Sequence, residues 1–265
     1  MHSALSELCY RLHMPEPVIC DILSFAEAAD LETLRSSMVL MFRPECWEKG
    51  LDLLKQQLGE DPKGIRMLAC QLICALETRN RYQAAGISDS VFLATMDCFP
   101  RFVKEHRESF GFYGFDREWW TVRQLSGVLF RIGLLEYELI EGFVSLHIPS
   151  GARLEPGAVA ASVEAAREFI ARYFPDWQEA PFICHSWLLS PTLRELLPAD
   201  SYILHFQSLF DITPTGLNDR DFLVWVFRNK DISLSQLPEN TSLQRKLKAH
   251  LLEGKPFQDA RGTLL

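Results

Sequence analysis

The stretch from Phe143 to Leu189, FVSLHIPSGARLEPGAVAASVEAAREFIARYFPDWQEAPFICHSWLL, limits the fold more than any other part of the chain. Phe143 to Ile148 alternates as a strand. A loop with Gly151 and Gly157 follows, and Val163, Ala166, Phe169, Ile170 and Phe174 then recur at helical spacing from Val159 to Phe174. Pro181 to Trp187 reads as a second strand. A strand, a helix and a strand in that order make a crossover unit, whose two strands are expected to be parallel neighbours. A loop that feeds a helix N-terminus from a strand end offers unsatisfied backbone N–H groups to a phosphate, so function is expected here.

The chain before this unit reads differently. From Leu5 to about Arg107 the apolar positions follow a helical period, with Pro15 and Pro17 at one start and Asp30 as an N-cap at another. Asp61-Pro62 is expected to open a helix through Leu76, and Pro100 to kink or split one between Ser88 and Arg107. DREWW, from Asp116, enters a short helix near Glu118 to Leu125. Val128 to Ile140 is expected to be one strand, joined to Phe143–Ile148 by a hairpin at Glu141-Gly142. Beyond the crossover, Pro191 to Leu197 and Ser201 to Phe210 read as short helices, Asp221 to Arg228 as a last strand, and Ser242 to Leu252 as a polar helix before a mobile tail. The reading is an α+β chain, with a helical N-terminal domain (1–115) packed on a mixed-sheet domain (116–265).

Charge and cysteines narrow the classes. A net charge of −8 argues against wholesale nucleic-acid or anionic-membrane binding. No apolar run approaches membrane-span length, and MHSALSELCYRL lacks the charged and apolar regions of a signal peptide. Seven scattered cysteines without a CxxC suit a reducing, cytoplasmic setting. Cys70 and Cys74 fall on an apolar helical stripe and read as core; no metal ligand set is evident. There is no GxSxG elbow, P-loop or GxGxxG.

Several residues carry candidate chemistry. Gly151 and Gly157 permit close backbone approach, Arg153 is a nearby cation, and Ser162 could cap a helix starting slightly later than drawn. His147 and His185 lie near the C-terminal ends of the strands flanking the crossover, where open sheets bind ligands; either is a candidate base or proton relay, or a plain sheet histidine. Ser145 and His147 share one strand face. Glu136 and Glu138 share a face on the preceding strand, where a carboxylate needs a partner. Trp119, Trp120 and Arg123 form a dense aromatic and cationic cluster, compatible with core packing or with one indole lining a cleft.

The strings DREWWTVRQLSGVLFRIGLLEYEL, VSLHIPSGARL and CHSWLLSPTLRELLPADSYILHFQSLF resemble a bacterial acyltransferase-domain family. Its members pair an α-helical N-acyltransferase N-terminal domain with a GNAT-like C-terminal domain. The resemblance implies transfer from acetyl-CoA or another acyl-CoA to a small-molecule amine or peptide, without a metal. It implies that the two crossover strands splay around the pantetheine arm, and that the pyrophosphate meets Ile148, Ser150, Gly151, Ala152, Arg153, Gly157 and Ser162. It implies His147 or Glu138 as the base, His185 or Tyr202 as the acid on the leaving thiolate, and Trp119, Trp120 and Arg123 on the acceptor. The loop SGARLEPGAVAAS departs from the usual Q/R-x-x-G-x-G/A pattern. A GNAT-like binding module without turnover is thus the alternative, and a hydrolase using Cys184 with His147 or His185 is a second.

Overall fold

A computed structural model describes residues 2–216, 221–227 and 232–265. The chain divides into two compact units, Met1–Arg131 and Ile132–Leu265.

The first unit is helical: α1 (His2–Arg11), α2 (Glu16–Ala28), α3 (Leu31–Leu40), α4 (Trp47–Leu58), α5 (Ile65–Ala84), α6 (Asp89–Met96), α7 (Cys98–Phe110) and α8 (Glu118–Ser126). Local chemistry sets most of these bounds. Pro15 and Pro17 frame the start of α2, and Asp30 caps α3 by accepting from the Thr33 N–H. Asp61 does not open α5. The helix starts at Ile65 after Gly64, which takes the left-handed conformation, and Asp61 instead accepts from the Met67 N–H at 3.0 Å. The break between α6 and α7 falls at Asp97; Pro100 sits in the first turn of α7, where a missing N–H costs nothing. The long helix α5 forms the middle of this unit, with Met67, Leu68, Cys70, Leu72 and Cys74 all buried. Burial pushes the Cys70 thiol up to about 12, as expected for a packing residue.

A mixed sheet of order β1-β2-β3-β4-β6-β5 begins with β1 (Leu129–Ile132), at whose last residue the second unit starts, and continues within that unit through β2 (Leu135–Ile140), β3 (Phe143–His147), β4 (Phe182–Ser186), β5 (Phe210–Pro214) and β6 (Ala260–Leu264). β2 and β3 form the hairpin at Glu141-Gly142, and β3 and β4 are parallel, joined by α9 (Pro156–Tyr173). Three further helices precede β6: α10 (Leu193–Leu196), α11 (Tyr202–Gln207) and α12 (Asp221–Phe227). A fourth, α13 (Ser242–Leu252), begins with a capping box at Thr241 and Gln244. Among the described residues, no helix is long and apolar enough to cross a membrane.

Four expectations about this unit are corrected. Val128 to Ile140 is two strands, because Gly133 turns the chain at φ +62 between them. Residues 221–227 are helical: Phe222, Leu223 and Phe227 are buried together against Leu193, Leu237, Leu247 and Phe257 while Trp225 is exposed, which a period of two cannot produce. Arg228 lies outside the described residues. Helix α11 ends at Gln207, and Phe210 opens β5. The tail is the ordered strand β6, seated between β4 and β5 with Ala260 and Gly262 facing inward.

Candidate active site

Alternation along the paired strands gives the sheet two distinct faces. Tyr137, Leu139, Val144, Leu146, Phe182 and Cys184 share the face that α9 covers, as the bond between the Tyr137 hydroxyl and Ser162 of α9 shows. Glu136, Glu138, Ser145, His147, Ile183 and His185 share the other.

On that second face Glu138 lies directly across from Ser145, and Glu136 from His147, so Glu138 and His147 are diagonal neighbours. His147 Nε2 meets Glu138 Oε2 at 2.9 Å, with side chains 24% and 10% exposed. An ionised carboxylate only accepts, so the neutral imidazole paired with it carries its proton on Nε2 and keeps Nδ1 as its basic atom. A buried carboxylate that fixes the tautomer and stabilises the imidazolium is the arrangement a histidine base needs. Two of the sequence-expected residues are thereby brought together.

The backbone around this pair is open. β3 and β4 pair only at Val144↔Phe182 and Ser145↔Ile183, although β3 continues to His147 and β4 to Ser186. Past Ser145 and Ile183 the strands part, while the far edge of β4 stays paired to β6 through Ser186. The parting leaves peptide groups on the facing edges of the strands, where an extended molecule with amide groups can bond as a strand would.

The loop 148–155 leads from this opening into α9. Ile148 and Ser150 are half-buried, and Gly151 holds φ +79, a conformation that favours glycine. The Ala152 N–H donates to the Pro149 carbonyl at 3.1 Å, closing a turn. The Arg153 side chain is 82% exposed and 3.6 Å from Glu155. Pro156 takes the first helical position, and no side chain among the described residues caps α9. Gly157 follows Pro156 in the first turn, with nothing within 4 Å of where a Cβ would stand, so an anion can approach its amide closely. Ser162 does not cap this helix. It lies in the second turn, 2% exposed, with its Oγ donating to the Ile132 carbonyl and accepting from the Leu135 N–H and the Tyr137 hydroxyl.

His185 stands level with His147 by continuation of the parallel register, exposed, on the strand that diverges from β3. Tyr202, 47% exposed, opens α11, which packs on α9 and so belongs to the opposite face. Cys184 is fully buried on that opposite face, and burial pushes its thiol far up. A buried, protonated thiol facing away from both imidazoles removes the cysteine-hydrolase reading.

Trp119, Trp120 and Arg123 belong to the first unit. The buried Gln71 of α5 donates to the Glu118 carbonyl at 3.0 Å and accepts from Thr121 at 2.6 Å, which fixes the first turn of α8. The Trp119 and Trp120 rings meet edge to face, 5.8 Å apart. The Arg123 guanidinium lies 4.7 Å from the Trp120 ring centre and 5.4 Å from that of Trp47, and donates to the Trp119 carbonyl at 2.9 Å. The indole of Trp119 is 48% exposed, the one open ring of the three named.

Sequence reasoning missed Arg261. The alternation Ala260, Arg261, Gly262, Thr263 carried a strand signal, but a glycine and a short length hid it.

The comparisons agree with the fold. Residues 129–264 match the family model described as the GNAT-like C-terminal domain, and residues 3–127 match the N-acyltransferase N-terminal domain. No protein of curated function matches. The chain is similar to the solved structure of an acyltransferase in complex with decanoyl-CoA and teicoplanin, at 27% identity and a TM-score of 0.81, covering 97% of this chain and 86% of that one. It is also similar to an acyltransferase variant in complex with octanoyl-CoA, at 26% identity and TM-score 0.82, covering 99% and 87%. A third, in complex with CoA and 10C-teicoplanin, is 26% identical with a TM-score of 0.81 over 97% and 86%. The matched C-terminal domain spans more than half the sequence, and the chain therefore belongs to the GNAT-like C-terminal domain family, carried with an N-acyltransferase N-terminal domain.

Proposed function

We propose that the protein moves an acyl group from acyl-CoA to an amine by direct attack, with His147 as general base and Glu138 orienting it. The observation that supports this most is the 2.9 Å His147–Glu138 pair beside the parted ends of β3 and β4, in a chain similar to acyltransferases that hold decanoyl- and octanoyl-CoA.

The steps balance without a covalent enzyme intermediate. The pantetheine arm lies in the parting and bonds to the facing strand edges. The amine nitrogen attacks the thioester carbon and passes a proton to the His147 imidazole, directly or through water, while the new imidazolium stays bonded to Glu138. The carbonyl oxygen gains negative charge, which backbone N–H groups of the parted strands stabilise. The C–S bond then breaks, the amide forms, and the CoA thiolate takes a proton from His185; Tyr202 leaves this role because α11 packs on the opposite face. Ile148, Ser150, Gly151, Ala152, Arg153 and the Gly157 amide hold the pyrophosphate; Ser162 leaves this group because its hydroxyl is fully committed inside the unit. Acetyl-CoA is a donor to test beside the longer chains.

Thermal melting with decanoyl-CoA, octanoyl-CoA, acetyl-CoA, CoA and ATP tests donor binding. A native-state ligand raises the melting temperature with the logarithm of its concentration above its Kd. Thiol release from each acyl-CoA, followed with a panel of amines, then tests turnover. His147→Asn keeps the acyl-CoA shift and loses thiol release. The unusual loop favours a second reading, a ligand-binding module, which predicts the shift without release by any amine.

A further inference from the structure

Solvent reaches His147 from one side. Glu136, Glu138 and Ser145, its neighbours towards β2, are 3%, 8% and 9% exposed. Towards β4 the same face is open: His185, then Arg261 and Thr263 on β6, then Asp211 and Thr213 on β5 are all exposed. The registers place them in two adjacent rows, with His185 and Thr213 flanking Arg261 and with Ile183 and Asp211 flanking Thr263. The opposite side chains on these strands, Cys184, Phe210, Ala260 and Gly262, are buried. A molecule that presents an amine to His147 therefore lies over β4 and β6.

Arg261 is the cation it meets there. Its backbone is level with His185, and its guanidinium lies 5.8 Å from the ring centre of Phe143, so the side chain crosses the sheet face towards the start of β3, four residues before His147. Among the described residues it has no carboxylate within ion-pair distance, in a chain whose net charge is −8. A planar guanidinium that no internal carboxylate holds is suited to grip a ligand carboxylate through two parallel hydrogen bonds.

We propose that Arg261 is a specificity-determining residue: the acceptor carries a carboxylate that Arg261 holds while its amine faces His147. The proposal rests on the acyltransferase reading. Four residues of strand at about 3.3 Å each separate Phe143 from His147, so a carboxylate held by the guanidinium lies roughly 13 Å along the strand from the amine, about four residues of extended peptide.

The test uses the protein of this sequence, decanoyl-CoA as donor, and tetraglycine and tetraglycinamide as matched acceptors, with kcat/KM read from thiol release. Wild type is expected to favour the free acid by about 10-fold to 100-fold, the range of a charge-assisted hydrogen-bonded pair. In Arg261→Gln that ratio falls towards one, and Arg261→Lys restores part of it. The ratio is taken within each variant and does not depend on the amount of folded protein; the decanoyl-CoA melting shift reports folding separately. An unchanged ratio in Arg261→Gln, a wild type indifferent to the acid, or a wild type that accepts only uncharged amines overturns the proposal. Thiol release with no amine of any kind strikes the acyltransferase reading instead.

Discussion

Replacing Ser162 with Ala removes one oxygen and three hydrogen bonds. That oxygen donates to the Ile132 carbonyl and accepts from the Leu135 N–H and from the Tyr137 hydroxyl. Ser162, Leu135 and Tyr137 are 2%, 0% and 1% exposed, so water does not replace the lost partners. A net hydrogen bond is worth about 1 kcal/mol, and a stranded buried group costs roughly 1–3 kcal/mol. Alanine recovers a few tenths through helix propensity. The balance is a loss of about 3 kcal/mol, and at roughly 3 °C per kcal/mol for a unit of this size the melting temperature falls by on the order of 10 °C. Thermal and urea melting followed by circular dichroism measure it. The double variant with Tyr137→Phe is a sharper check, because it removes the stranded hydroxyl together with its partner. It should be less destabilised than the sum of the single variants, by about 1 kcal/mol. A Ser162→Ala protein within about 1 kcal/mol of wild type, or strict additivity in the cycle, would refute the hub.

Other consequences are equally direct. Glu138→Gln can donate to His147 Nε2 and so favour the wrong tautomer; acyl transfer should fall about 10²–10⁴-fold with acyl-CoA binding retained, as thiol-release kinetics and melting shifts would show. Gly64→Ala places a Cβ 1.9 Å from the Phe115 carbonyl oxygen at φ +67, so it should cost on the order of 3 kcal/mol or more and lower soluble yield, measured by denaturant melting. Burial alone would raise the Asp89 carboxyl, but its hydrogen bonds to Arg11 and Arg79 outweigh that and hold it below the ordinary 3.8. A lowered folded-state pKa stabilises above the unfolded value, and the gain disappears as pH falls through the folded one. Asp89→Asn should therefore lose on the order of 1 kcal/mol at neutral pH and match wild type in strong acid, which melting across pH 2–7 would test.

The helices of the first unit were legible because their apolar positions repeat at 3.6 residues and their starts carry proline, serine or aspartate. The crossover β3-loop-α9-β4 was legible for the same reason, since each element switches period at a glycine or a proline. Short elements were harder to read. Residues 221–227 contain almost nothing but apolar side chains, so no period shows, and helix was chosen by the cluster of Leu193, Leu237, Leu247 and Phe257 that packs on one side of it. Strand β6 has one large side chain in its first four residues, and its place between β4 and β5 comes from pairing with chain more than forty residues away.

The site divides in the same way. Sequence alone put His147, His185 and the loop from Ser150 to Ala161 at the crossover and Glu138 on the strand before it, because strand ends and helix starts are fixed by local pattern. It could not bring Glu138 to Nε2 of His147, since that depends on the register of β2 against β3, and a slip of one residue would send the two side chains to opposite faces. Nor could it show that Ser162 spends its hydroxyl inside the fold, that Cys184 faces away from both imidazoles, or that Arg261 joins the row beside His185. Each follows from which strands become neighbours and in what register, and that is settled only when distant segments pack and their backbone hydrogen bonds are made.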